Sequence, residues 1–153
     1  MPAHHEMRIL PYTPAQMYAL VTDVARYGEF LPWVSAVRVR SDSETEMVAD
    51  LIVGFKALRE KFTSRVVKVR PGSVHVDYIE GPLKFLTNDW RFADDGAGGC
   101  VVDFSVAFAF RNRIFEALAG QMFDHALKRM IGAFEARADA LYGSNNSSAT
   151  KAA

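Results

Sequence analysis

VVDFSVAFAF, residues 101–110, and RIFEALAGQMFDHALKRMIGAFEARADALY, residues 113–142, adjoin in the chain and obey different periods. In the first, Val102, Phe104, Val106, Phe108 and Phe110 occupy every second position, the spacing of one face of a β-strand. In the second, Phe115, Leu118, Met122, Ala126, Met130, Ala133, Phe134 and Leu141 recur at steps of three, four or seven, with no proline and almost no β-branched residue. The spacing predicts one helix about 45 Å long, enough to lie across six or seven strands. Gly143 is its natural C-cap.

Upstream, the two-residue period runs back to residue 37. Leu86, Trp90 and Phe92 precede the Gly- and Asp-rich turn Asp94 to Gly99, and Val74, Val76 and Tyr78 alternate up to Gly81-Pro82. Between Leu58 and Arg70, Phe62 and Val66 share a face. The apolar parity then moves to Val67 and Val69, as a β-bulge would produce. Met47, Ala49, Leu51, Val53 and Phe55 line one face, joined through a hairpin at Ser41-Asp42-Ser43-Glu44 to Val37 and Val39. At the start, His5, Met7 and Ile9 alternate with Glu6 and Arg8 as far as Pro11. Thr13 before Pro14 reads as a helix N-cap followed by proline in the first turn, and a second short helix is expected around Val24 to Phe30.

This order predicts an α+β helix-grip: a curved antiparallel sheet of six to seven strands wrapped around a long C-terminal helix, with two short helices after the first strand. Such a sheet leaves a gap beneath its helix. Residues 1–143 are expected to form one domain and 144–153 a disordered tail.

An apolar share of 50% against 24% charged residues is that of a globular domain, and 153 residues suffice for one core. Eighteen basic side chains balance eighteen acidic ones, which leaves no field to attract DNA. The single Cys100 cannot form an internal disulfide, and MPAHHEMRIL lacks the leader of a secreted protein. A cytoplasmic setting is expected, with room for peripheral contact with the inner membrane, because no run approaches the roughly 18 apolar residues of a spanning helix.

Catalytic and metal chemistry find little support. His4, His5, His75 and His125 are scattered, and neither CxxC nor HExxH occurs. Cys100 has no base beside it and reads as a small buried hydrophobe. The pairs Asp94-Asp95 and Asp42/Glu44 lie in turns, where Asp bonds the backbone. Gly96-Ala97-Gly98-Gly99 joins two strands and so does not cradle a phosphate at a helix N-terminus. No cofactor and no catalytic residue is expected. Lys56, Arg59, Lys61, Arg65, Lys68 and Arg70 oppose Glu60 alone, which reads as the wet face of a strand or as attraction to anionic lipid or ribosomal RNA.

Two features bear on a cavity. Ala117, Ala119, Gly120, Ala126, Gly132, Ala133, Ala136 and Ala138 put small side chains along the helix, although an interior glycine costs about 1 kcal/mol relative to alanine. Close helix–sheet approach and room for a ligand would each account for them. Phe30-Leu31-Pro32-Trp33 is a dense apolar run at the helix-to-strand junction, read either as core packing or as a cavity lip or membrane contact.

Tyr27-Gly-Glu-Phe-Leu-Pro-Trp33, Gly81-Pro-Leu-Lys-Phe-Leu86 with Trp90-Arg-Phe92, Phe104 to Phe110, and Met130 to Gly143 together resemble the coenzyme Q-binding START-domain family over nearly the whole chain. The first motif usually reads YPxFLPWC, so Gly28 and Val34 depart from it. The resemblance implies a helix-grip cavity holding a polyprenyl quinone such as ubiquinone, and a non-catalytic part in respiration or quinone biosynthesis. The same family includes bacterial toxins that hinder ribosomal subunit association, and related domains include polyketide cyclases and aromatases. Quinone binding ranks first here, ribosome interference second and cyclase third. On this reading the cavity is lined by Leu51, Val53, Phe62, Val76, Tyr78, Trp90, Phe92, Phe104 and Phe108 from the sheet and by Leu118, Ala119 and Met122 from the helix. Tyr78 or Asn88 would bond the ring carbonyls.

Overall fold

The computed structural model describes residues 3–55, 58–111 and 113–143, apart from the side chains of 55, 58 and 114–124. Strand β1 (Ala3–Leu10) leads into helix α1 (Pro14–Thr22) and a 3₁₀ helix (Val24–Glu29). Strands β2 (Val34–Asp42), β3 (Glu46–Phe55), β4 (Leu58–Val69), β5 (Ser73–Glu80), β6 (Leu83–Asp94) and β7 (Cys100–Phe110) follow. Helix α2 (Arg113–Ala138) ends in a π-helical turn, Asp139–Gly143. The seven strands form one antiparallel sheet in the order β1-β7-β6-β5-β4-β3-β2, so each hairpin neighbour pairs in space and β1 closes onto the last strand. The α+β helix-grip read from the periods is the fold observed. The tail 144–153 lies outside the described residues.

Local chemistry accounts for the punctuation. The Thr13 hydroxyl accepts from the Gln16 N–H at 3.1 Å while the Gln16 side chain accepts from the Thr13 N–H at 2.9 Å, a reciprocal cap that starts α1 where expected. Asp94 and Asp95 accept backbone N–H groups of Gly96, Ala97 and Gly99 in the β6–β7 turn. Gly81 sits at φ +146°, and a Cβ there would come within 2.8 Å of the Lys61 carbonyl, so the β5–β6 turn admits only glycine.

The core is one cluster. Met17, Leu20 and Val21 of α1 and Leu127, Ile131 and Phe134 of α2 meet Val66, Val74, Trp90 and Phe104 of the sheet. Phe134 is its hub, with ring centroids 5.1 Å from Trp90, 5.3 Å from Phe30 and 5.5 Å from Tyr27.

Three expectations are corrected. In β1 the apolar side chains point outward: Met7 and Ile9 are 60% and 72% exposed, while Glu6 and Arg8 face α2 and Arg8 bonds both Glu6 and Glu135. Pairing with β7 sets that parity, and the inward charges are tolerated because they satisfy one another. In β4 the parity does not shift at Val67, since Phe62, Ser64 and Val66 all face inward and Val69 is exposed. The register break lies earlier, between Thr63 and Ser64 against β5. At Gly132, an added Cβ would meet nothing within 4 Å, so close approach does not explain that glycine. Ala119 and Gly120 fall where side chains are not described.

Candidate ligand cavity

The inward faces of β3 to β7 each contribute side chains to one space beneath α2, a cavity of about 320 Å³. The sheet contributes Leu51, Val53, Phe62 and Val76 to its wall, with Asn88, Trp90 and Phe104. From the helical side come Val21, Val24, Tyr27, Met130 and Phe134, and Leu31, Pro32, Trp33 and Val34 form one rim.

The strand parity thus places seven of the sheet residues singled out by sequence on the cavity wall, and Leu31, Pro32 and Trp33 at its rim. Three others do not line it. Tyr78 leans on Phe62, with ring centroids 6.3 Å apart, and its hydroxyl oxygen accepts the Leu83 N–H at 2.8 Å, which ties it to the β5–β6 turn. Phe92 lies farther along its strand, edge-on to Tyr18 and stacked near Trp90 in the solid core. Phe108 packs edge-on against Phe110 near the start of α2. Phe30 turns from the rim onto Phe134 and carries the Arg137 guanidinium 5.2 Å above its ring. Leu118, Ala119 and Met122 are side chains outside the described set. Ser64, Val66, Val74, Leu86 and Val106 were missed, although parity alone puts them on the same face as residues already chosen.

Polar groups on this wall are few and mostly committed. The Tyr27 hydroxyl donates to the Val21 carbonyl, and burial raises its pKa well above the ordinary phenol value. Trp90 donates its indole N–H to Asn88 Oδ1 at 2.8 Å, and Asn88 Nδ2 donates to the Ser105 carbonyl at 2.8 Å. Because an indole can only donate and a carbonyl only accept, these two contacts fix the orientation of the amide. Ser64 is the remaining hydroxyl, and it makes no hydrogen bond among the described residues. No described lining residue is charged at neutral pH.

The rim carries backbone strain. Trp33 has φ +72°, a region that bulky residues rarely enter, and it is pinned by the Gly54 N–H to its carbonyl at 2.7 Å and by the Arg129 guanidinium 5.5 Å over its ring.

Matches elsewhere identify the lineage. Residues 10–135 fit the family described as polyketide cyclase / dehydrase and lipid transport. The chain belongs to that family. It is 37% identical over 135 residues to the ribosome association toxin RatA of Pseudomonas aeruginosa, covering 88% of this chain and 94% of that one. It is 36% identical over 130 residues to the mitochondrial coenzyme Q-binding protein COQ10 of Drosophila melanogaster, covering 82% of this chain and 54% of that one. The solution structure of the 18 kDa protein CC1736 from Caulobacter crescentus superposes with a TM-score of 0.74 at 38% identity, covering 94% of this chain and 99% of that one. The START-like resemblance drawn from the aromatic motifs therefore holds.

Cys100 is buried, and desolvation pushes its thiol up to about 11, far from a reactive thiolate. His4 meets Glu6 at 3.1 Å and His5 meets Asp103 at 2.6 Å. His75 lies on the outer sheet face between Asp89 at 2.6 Å and Asp77 at 2.8 Å. Among the described residues no group of three His, Cys, Asp or Glu could hold a metal ion. The basic stretch is partly neutralised: Lys68 meets Asp42 at 2.6 Å, Arg65 meets Glu46 at 3.0 Å, and the Arg70 guanidinium lies 5.8 Å over Tyr18. Lys56 is outside the described residues. Arg59 and Lys61 remain exposed on the outer face, which the register shares with Arg38 of β2. No described helix is long and apolar enough to cross a membrane.

Proposed function

We propose that this chain is a non-catalytic carrier for a polyprenyl quinone such as ubiquinone, serving respiratory electron transport or quinone biosynthesis. The observation that carries the reading is a cavity of about 320 Å³ whose wall is apolar apart from a few uncharged polar groups. That volume is at the small end of sites for drug-sized ligands, so it would take a ring and the start of a tail. The rest of the tail would leave past Leu31 and Trp33. The described wall residues offer no acid–base pair or activated nucleophile, since Ser64 has no described partner to take its proton, which weighs against cyclase chemistry. The named function of the COQ10 relative supports the same reading. Saturable quenching of Trp90 emission by decylubiquinone tests it, with Trp33→Phe removing the other indole.

A second reading, hindrance of ribosomal subunit association, is favoured by the RatA relative and by Arg38, Arg59 and Lys61, exposed on the outer face without a carboxylate within 4 Å among the described residues. Sedimentation with ribosomal subunits that is lost in the triple Arg38→Glu, Arg59→Glu, Lys61→Glu variant would move this reading to first place.

A further inference from the structure

We propose that Ser64 is the anchor of the cavity, donating its hydroxyl proton to an uncharged acceptor oxygen, a ketone or quinone carbonyl, at the polar end of the ligand. This rests on the carrier reading and adds to it the chemistry that selects the head group.

Ser64 lies on β4 between Phe62 and Val66, both on the cavity wall. The Ser64 hydroxyl has no acceptor among the described residues and is not a buried orphan, so it is open to the cavity and free to donate to a ligand. Among the described polar groups nearby, the Tyr27 hydroxyl donates to Val21 and Asn88 bonds Trp90 and Ser105, while Tyr78, whose oxygen accepts the Leu83 N–H at the β5–β6 turn, does not line the cavity. Asn88 keeps one N–H. Val66, Val76, Asn88 and Val106 form one row across the sheet, and Ser64 is one inward position along β4 from that row. Standard strand spacing puts the Cα atoms of Ser64 and Asn88 about 12 Å apart. That is too far for a mutual hydrogen bond, yet one ring bearing carbonyls at opposite ends could meet both.

The far side of the sheet braces this position. Thr63 is buried on the outer face and donates to Asp50 Oδ1 at 2.6 Å, while Arg40 Nε donates to Asp50 Oδ2 at 2.8 Å. The register break against β5 falls between Thr63 and Ser64 with Ile79 as the extra residue on β5, so β4 keeps its alternation and Ser64 faces inward with Phe62 and Val66. The Arg40–Asp50–Thr63 chain therefore locks β3 to β4 directly behind the serine. A buried carboxylate with two donors is a firm support for a hydroxyl that must point one way.

The wall also defines what Ser64 does not hold. With no cation among the described lining residues, a carboxylate head would be desolvated without compensation there, which makes fatty acids poor ligands. The occupant is a neutral alkylated or prenylated carbonyl compound.

The test compares three probes on the full chain carrying Trp33→Phe: decylubiquinone, dodecylbenzene and dodecanoate, the latter two by displacement of the quinone. Ser64→Ala should weaken decylubiquinone about five- to tenfold, the worth of one neutral hydrogen bond, and leave dodecylbenzene within about twofold. Ser64→Thr, which keeps the hydroxyl, should restore most of the loss. In infrared difference spectra, bound decylubiquinone should show a carbonyl band shifted to lower frequency that Ser64→Ala returns toward its free position, a signal that mere repacking would not move. Equal quinone affinity and unchanged carbonyl bands in Ser64→Ala would overturn the anchor while leaving the carrier reading intact. A wild-type protein that binds none of the probes would overturn both.

Discussion

The indole N–H of Trp90 donates to Asn88 Oδ1 at 2.8 Å, inside a wall that is otherwise almost wholly apolar. The pair spans two inward positions of β6, so it reports on the cavity from within. Asn88→Leu strips Trp90 of its acceptor and frees the Ser105 carbonyl, and it should destabilise the protein by about 1–3 kcal/mol. Urea unfolding measures the loss, and the emission maximum of Trp90 should shift with it.

Thr63→Val tests the brace behind Ser64. Burial works to raise the Asp50 pKa, but hydrogen bonds from Thr63 and Arg40 and the charges of Arg40 and Lys61 outweigh it and hold the carboxyl below its usual value. Removing the Thr63 donor leaves a buried carboxylate with one partner fewer and should cost about 1–3 kcal/mol at neutral pH. Because the folded pKa is depressed, this stability is present above the unfolded value and lost as pH falls through the folded one. The variant should therefore unfold at a higher pH than wild type on acid titration followed by circular dichroism.

His75 gives a dependence of the opposite sign. The hydrogen bond to Asp89 raises its pKa against the opposing effect of burial, with Asp77 adding to the rise. A raised folded pKa means the contribution is complete below the unfolded value of about 6.5 and disappears as pH rises through the folded pKa. Melting temperature measured from pH 5.5 to 9 should fall more in wild type than in His75→Asn, with the two curves converging at the alkaline end.

Gly132 is exposed on α2, and an added Cβ would meet open space. Gly132→Ala should stabilise by about 1 kcal/mol and raise the melting temperature by about 2–4 °C, as read by calorimetry.

Much of this architecture was legible in the chain because β7 and α2 keep strict periods over long runs. The same parity put Leu51, Phe62, Val76 and Trp90 on one face, and the structure has them on the wall of one cavity. It misled in β1, where Met7 and Ile9 form the regular apolar pattern yet point to solvent, since pairing with β7 and the Arg8–Glu135 contact decide the face. Ser64 escaped notice because a lone serine in a basic strand has no pattern of its own. Its meaning depends on Thr63 and Asp50 meeting across the sheet, a contact that sequence spacing does not express. Tyr78 was chosen for its hydroxyl, and only the β5–β6 turn, where its oxygen accepts the Leu83 N–H, reveals that it stands away from the cavity wall.

The central claim is that the cavity holds a lipid quinone. The most direct measurement is organic-solvent extraction of the full-length protein purified without added lipid, followed by mass spectrometry of what it carried. The account predicts a polyprenyl quinone in near-stoichiometric amount, reduced in Ser64→Ala and restored in Ser64→Thr. Protein that carries no quinone, and that does not take one up when decylubiquinone is supplied, would contradict it.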